Sequence, residues 1–184
     1  SNALVSLGMY EELSGAVANA LKRYASWLEK HPDDAPVRMA YASSLMMAKQ
    51  TPQSSTQYAM ILQADPDNLT ALNNQAWLLR ETNTEQALQY ARKAAELAPD
   101  SAAVLDTLAL VEYASKDYDQ AQSNILRALK SAPDDPSIRY HSAKIAAALK
   151  DNATARATLE KLLAANPKFP EVAEAKALLA KLKK

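Results

Sequence analysis

Apolar residues recur at three- and four-residue spacing along almost the whole chain, interrupted by short clusters of Pro, Asp, Asn and Thr. The pattern predicts helices at about 4–12, 14–30, 35–49, 53–64, 69–82, 84–97, 102–115, 118–131, 136–149, 152–165 and 170–182. No segment keeps the two-residue alternation of a strand. Pro36, Pro136 and Pro170 are expected in first helical turns, where the missing amide donor costs nothing, and Pro52 is expected to open the helix running to Ala64.

The punctuation is periodic. Pro32, Pro66, Pro99, Pro133 and Pro167 stand at intervals of 34, 33, 34 and 34 residues. Twelve residues before each stand Ala20, Ser54, Ala87, Ala121 and Ala155, and four before stand Leu28, Leu62, Ala95, Leu129 and Leu163. A small residue lets two crossing helices approach, and an aliphatic one on the same stripe fills the space between neighbouring pairs. A second small slot recurs in the first helix of each unit as Gly8, Ala42, Ala76, Ala109 and Ala143, which predicts small-on-small packing there. A period near 34 holds two short helices and two turns.

On these residues the chain resembles the tetratricopeptide repeat family over nearly its whole length. Leu105, Leu108, Ala109, Asp117-Tyr118, Ala121, Ala128 and Pro133 make up the best unit. Lys116 and Lys150 stand where the family often has glycine in the inter-helix turn, Gln75 occupies a usually aliphatic slot, and Ser54 replaces an alanine. The third unit is one residue short, and the deletion is expected in Arg80-Glu81-Thr82-Asn83-Thr84, because a turn absorbs it more cheaply than a helix. The runs from Leu72 to Leu79 and from Val104 to Leu108 look like those of bacterial envelope repeat lipoproteins associated with exopolysaccharide export and protein sorting.

The resemblance implies an all-α fold, a right-handed superhelix or α-α solenoid. Residues 1–3 read as an expression-tag remnant, followed by a single array over 4–184. The array divides into a partial repeat 4–34, repeats 35–68, 69–101, 102–135 and 136–169, and a capping helix 170–184. Val172, Ala175, Leu178, Leu179 and Leu182 are expected to cover the last unit, while Glu171, Glu174, Lys176, Lys181 and Lys183 stay wet. The N-terminal edge has less cover, is expected to meet further repeats of a longer parent protein, and offers a route to self-association.

In this family first helices line a concave ligand surface. By helical phase, the exposed inner stripe is expected to run through Met39, Ser43, Met46 and Met47, then Asn73, Asn74, Trp77 and Arg80. It continues through Asp106, Leu110 and Tyr113 to Tyr140, His141 and Lys144. Aromatic residues beside amides and an arginine can bury a peptide side chain and bond its backbone, and methionines adapt to irregular shapes. The Lys and Asn arrangement that grips a C-terminal carboxylate in chaperone-binding members is not reproduced, since no lysines flank Asn73 and Asn74 on neighbouring helices.

Composition narrows the chemistry. With 21 basic and 21 acidic residues the formal charge is zero, so no overall field favours nucleic acid or an anionic membrane. From Ser131 onward, 10 basic residues face 6 acidic ones, and the terminal lysines suit a helix C-terminus. There is no cysteine for a disulfide or thiolate site, and no run approaches the roughly 20 apolar residues of a membrane span. His31 and His141 are the only imidazoles, no metal-ligand spacing recurs, and two glycines cannot build a phosphate-cradling loop. Asp33-Asp34 and Asp134-Asp135 stand where helices start and read as caps.

No catalytic residue, cofactor or metal is therefore expected. The sequence reads as a non-catalytic scaffold that binds a protein or peptide segment, with no nucleic acid and no membrane insertion. Two other readings stay open: an accessory part of a bacterial envelope polysaccharide-export or protein-sorting system, and the substrate-recognition arm of a larger enzyme. Compartment is undetermined, with the bacterial envelope or periplasm favoured over the cytoplasm.

Overall fold

The computed structural model describes residues 1–183. Among them, all regular structure is helical: α1 (Asn2–Leu13), α2 (Val17–Lys30), α3 (Ala35–Met47), α4 (Thr51–Ala64), α5 (Leu69–Leu79), α6 (Thr84–Leu97), α7 (Ala102–Ala114), α8 (Tyr118–Ser131), α9 (Pro136–Ala148), α10 (Asn152–Ala165) and α11 (Val172–Leu182). Two compact units result, Ser1–Leu78 and Leu79 onward. Within the first, α1 packs on α2 and α3, α2 on α3, and α3 on α4. Within the second, consecutive helices from α6 to α11 pack pairwise, and first helices α7 and α9 also touch.

Local chemistry sets the boundaries. Asp34, Asn83, Asp117, Asp135 and Asp151 cap α3, α6, α8, α9 and α10, each carboxylate or amide oxygen accepting from a first-turn amide at 2.9–3.4 Å. Of the two acidic pairs, Asp34 and Asp135 are the caps, while Asp134 holds Arg139 at 2.8 Å. Pro36, Pro52 and Pro136 fall at helix starts. Pro170 does not: α11 begins at Val172, whose amide closes a turn onto the Phe169 carbonyl at 3.2 Å.

The first helix of each pair ends in a common way, and this shortens α3, α7 and α9 relative to the sequence expectation. Gly15, Lys49, Lys116 and Lys150 are left-handed, with φ of 83, 58, 67 and 65°. The amide after each one bonds back to the carbonyl five residues earlier, as in Ala16 to Glu11 at 2.7 Å and Asp117 to Glu112 at 3.0 Å. The same turn at Gly15 delays α2, expected from 14, to Val17. Between α5 and α6 no residue is left-handed; Thr82 and Asn83 both donate to the Leu79 carbonyl, at 3.1 and 2.8 Å, and the missing residue lies in this turn.

A lysine at these angles carries a Cβ penalty of roughly 1 kcal/mol that glycine avoids. Lys116→Gly is therefore expected to raise stability by about 0.5 kcal/mol after glycine's larger unfolded-state entropy is subtracted. Urea midpoints test this, and a lower midpoint for Lys116→Gly would contradict it.

The small slots are used as expected in the second unit, where Ala109, Ala121 and Ala128 share a core with Leu105, Ile125, Ile138 and Ile145. Ser54, fully buried in place of an alanine, satisfies its hydroxyl by donating to the Ala42 carbonyl at 2.8 Å. Gln75 is buried too, donating to the Ser55 hydroxyl at 2.9 Å. Gly8 corrects the expectation of small-on-small packing, because a tyrosine ring meets it. An added Cβ would lie 2.0 Å from Oη of the fully buried Tyr24. At the far end, Ala175 of α11 is buried with Tyr140, Ala143, Leu159 and Leu162, and Leu178, Leu179 and Leu182 pack against that cluster.

Candidate protein-binding site

In the first unit, α3 and α5 carry the expected stripe. Met39, Ser43, Met46, Asn73, Asn74 and Trp77 are half-buried, and Met47 is exposed at 60%. Part of the polar set is occupied internally. The buried Tyr58 hydroxyl of α4 lies 3.0 Å from the Ser43 hydroxyl and accepts from the Asn74 amide at 2.7 Å, tying α3, α4 and α5 together.

In the second unit the expected residues separate into two groups. Leu110, Tyr140 and His141 are buried, at 5, 8 and 5% exposure, where the sequence pattern predicts exposed positions. Tyr140 belongs to the core under α11, and burial, then Glu174 and Glu171, pushes its hydroxyl pKa up. His141 Nδ1 lies 2.8 Å from Asp106 Oδ1, a polar link between α7 and α9. Helical phase predicts these residues exposed, whereas neighbouring helices cover them.

Arg80, Tyr113 and Lys144, with Leu110 beneath, converge on one cavity of about 330 Å³. Four elements build it: the shortened turn after α5, the first residue of α6, the C-terminal half of α7, and the middle of α9. The Lys144 Nζ sits 4.6 Å from the centroid of the Tyr113 ring, over its electron-rich face. Arg80 reaches Glu81 at 3.4 Å, and Thr84 donates to the Arg80 carbonyl at 2.9 Å. Burial lowers the Lys144 pKa, the Arg80 charge lowers it further, and Glu81 opposes both. Burial also lowers that of Arg80. A larger hollow of about 490 Å³ beside α1 and α2 is lined by Lys22, Arg23, Trp27, Lys30 and His31, and there Glu11 pairs with Arg23 at 2.7 Å.

Sequence reasoning missed Glu81 and Thr84, whose places at the cavity depend on the shortened turn. It also missed Glu112, buried at 4% and accepting from the Asn124 amide at 2.9 and 3.1 Å, while Arg127 bridges Asn124 to the Pro99 carbonyl. The available signal was a carboxylate on the packed stripe of α7, three residues after Ala109. Burial, opposed by the Asn124 bonds and aided by Asp117, raises the Glu112 pKa. The folded chain thus holds this proton more tightly than the unfolded one, so the associated stability is full in acid and is lost as pH rises through the folded-state value. Glu112→Gln is expected to gain on the native chain in urea midpoints as pH rises from acid to alkaline. A pH-independent difference would contradict this.

Among the described residues no group of three His, Asp or Glu could hold a metal ion, and no helix is long and apolar enough to cross a membrane. Paired antiparallel helices, stacked through recurrent small residues and presenting a cavity on their first helices, define a helix-pair repeat protein. Residues 112–182 match the profile of the tetratricopeptide repeat family. The whole described chain has the same fold. It resembles a tetratricopeptide repeat protein from Parabacteroides merdae ATCC 43184, with 24% identity over 98% of this chain and 70% of that one and a TM-score of 0.82. PilW, a widely conserved type IV pilus biogenesis factor, gives 16% identity over 99% and 90% of the two chains and a TM-score of 0.81. PilF of Pseudomonas aeruginosa gives 22% identity, 98% and 87% coverage and a TM-score of 0.75. No curated protein sequence matched the chain.

Proposed function

We propose that this protein is a non-catalytic scaffold that binds an extended or helical segment of another protein on its first helices. The observation that carries this reading is the convergence of Arg80, Leu110, Tyr113 and Lys144 on one cavity from three elements. Such a cavity combines an aromatic wall, an apolar floor and two cations, the composition of a binding hot spot. In the first unit Met47, Met39 and Trp77 offer a second, adaptable apolar patch. Likeness in fold to a type IV pilus biogenesis factor favours a place in a bacterial envelope assembly, where such a scaffold would hold components together.

Peptides selected from a random display library on the purified protein supply ligands for the test. Tyr113→Ala is expected to weaken them at least tenfold, on the order of 2 kcal/mol for loss of an aromatic anchor, whereas Lys161→Ala on exposed α10 surface leaves binding unchanged. Circular dichroism checks that both variants fold. Equal binding by two folded variants would place the ligand elsewhere.

A further inference from the structure

We propose that the outer face of α1 is a self-association surface, through which two copies of this chain form an antiparallel dimer with two-fold symmetry. First helices of later units turn one side toward the helix pair before them. Ile145 of α9 shares a core with Leu105, Ala121 and Ile125 of α7 and α8, and the Ser44 hydroxyl of α3 donates to Glu12 of α1. The repeat interval carries Ile145 back to Val111, Leu78 and Ser44, all buried, and then to Tyr10. Tyr10 is 69% exposed. Leu7, one turn before it, is 44% exposed, whereas Gln75 and Leu108 at the matching positions are buried. On α1 the stacking face is therefore apolar, and no helix pair lies over it among the described residues.

The chemistry of this face suits a second copy of the chain. Leu7, Tyr10 and Leu13 follow at three-residue spacing and are all exposed, so two α1 helices crossing antiparallel at Tyr10 set each Leu7 against the partner's Leu13. Electrostatics favour the same arrangement. The only charged side chains of α1, Glu11 and Glu12, lie in its last turn, where Glu11 pairs with Arg23 at 2.7 Å and Glu12 accepts from Ser44. The apolar stripe thus buries no free charge, and antiparallel crossing lays each acidic turn beside the positive N-terminal end of the other α1. Head-to-tail stacking onto α11 has no counterpart surface, because the exposed positions of α11 hold only alanine, lysine and glutamate. A face that pairs with itself closes at two copies. One helix stripe is a small interface, so the dimer is weak, with a dissociation constant on the order of 10 μM.

Sedimentation equilibrium over a concentration series of the purified chain tests this. The mass is expected to rise from 20.0 kDa toward twice that value and to stop there. Tyr10→Glu, at an exposed position, should keep the helical circular dichroism and weaken association at least about tenfold by placing a charge at the centre of the contact. Lys161→Glu, on exposed α10 surface, should associate as the native chain does. Because the chain has no cysteine, a short bis-maleimide reports the geometry: it should link copies of Tyr10→Cys at least about tenfold faster than copies of Leu126→Cys, exposed on α8. A single 20.0 kDa species at every concentration would overturn the proposal. So would masses that grow beyond two copies, association unchanged in Tyr10→Glu, or equal linking at the two cysteine positions. Tyr113→Ala should dimerise normally, so the peptide-binding reading and this one fail separately.

Discussion

Replacing Gly8 by alanine is expected to destabilise the first unit by about 2 kcal/mol, the cost of overpacking a close contact. The new Cβ would fall 2.0 Å from Oη, 2.3 Å from Cζ and 2.8 Å from Cε1 of Tyr24, distances no pair of such atoms tolerates. Tyr24 cannot simply swing aside. It is fully buried with Ala20, Leu28 and Val37, tilts against Tyr41 at 6.4 Å between ring centroids, and donates its hydroxyl to the Val5 carbonyl at 3.3 Å. A second substitution separates this clash from any loss of helix propensity, because alanine is the better helix former. In the background of Tyr24→Leu, whose side chain is shorter, Gly8→Ala should cost much less. Urea denaturation of the four chains measures the coupling directly, and additive effects would show that the contact does not limit the site.

Removing residues 170–184 is expected to have the largest effect in the second unit. Ala175, Leu178, Leu179 and Leu182 of α11 cover Tyr140, Leu159 and Leu162, so the truncation returns this apolar surface to water. At the usual worth of a partly buried leucine, the loss is roughly 3 kcal/mol, and the uncovered face should drive association. Leu179→Ala is a milder version and should lower the urea midpoint without changing the oligomeric state. Thermal melts and light scattering decide the matter. A truncated chain that melts at the native temperature and keeps its native mass in solution would contradict the packing described for α11.

The features legible in the sequence were those that repeat locally. Proline positions, small slots such as Ala109 and Ala121, and capping residues such as Asp34 and Asp135 each act within one helix pair, so their spacing alone located the elements. Lys116 and Lys150 were legible as departures from a usual glycine, and their left-handed φ of 67 and 65° shows that the turn geometry is kept regardless of the side chain. Gly8 was misread because its neighbour, Tyr24, lies on another helix, and only the packed pair reveals that a ring fills the space. The site was partly legible for the same reason. Helical phase selected Arg80, Leu110, Tyr113 and Lys144, which do converge. It could not indicate that α11 and its neighbours bury Tyr140, that Asp106 engages His141, or that the short turn delivers Glu81 and Thr84 to the cavity.

The most direct measurement of the central claim is a chemical-shift map of the isotope-labelled protein with a display-selected peptide bound. Shifts concentrated on α7 and α9, strongest around Leu110, Tyr113 and Lys144 and weak along the exposed positions of α8 and α10, are the predicted result. Shifts confined to exposed second-helix positions such as Leu126, Arg156 and Lys161, with Tyr113 and Lys144 unmoved, would contradict the account.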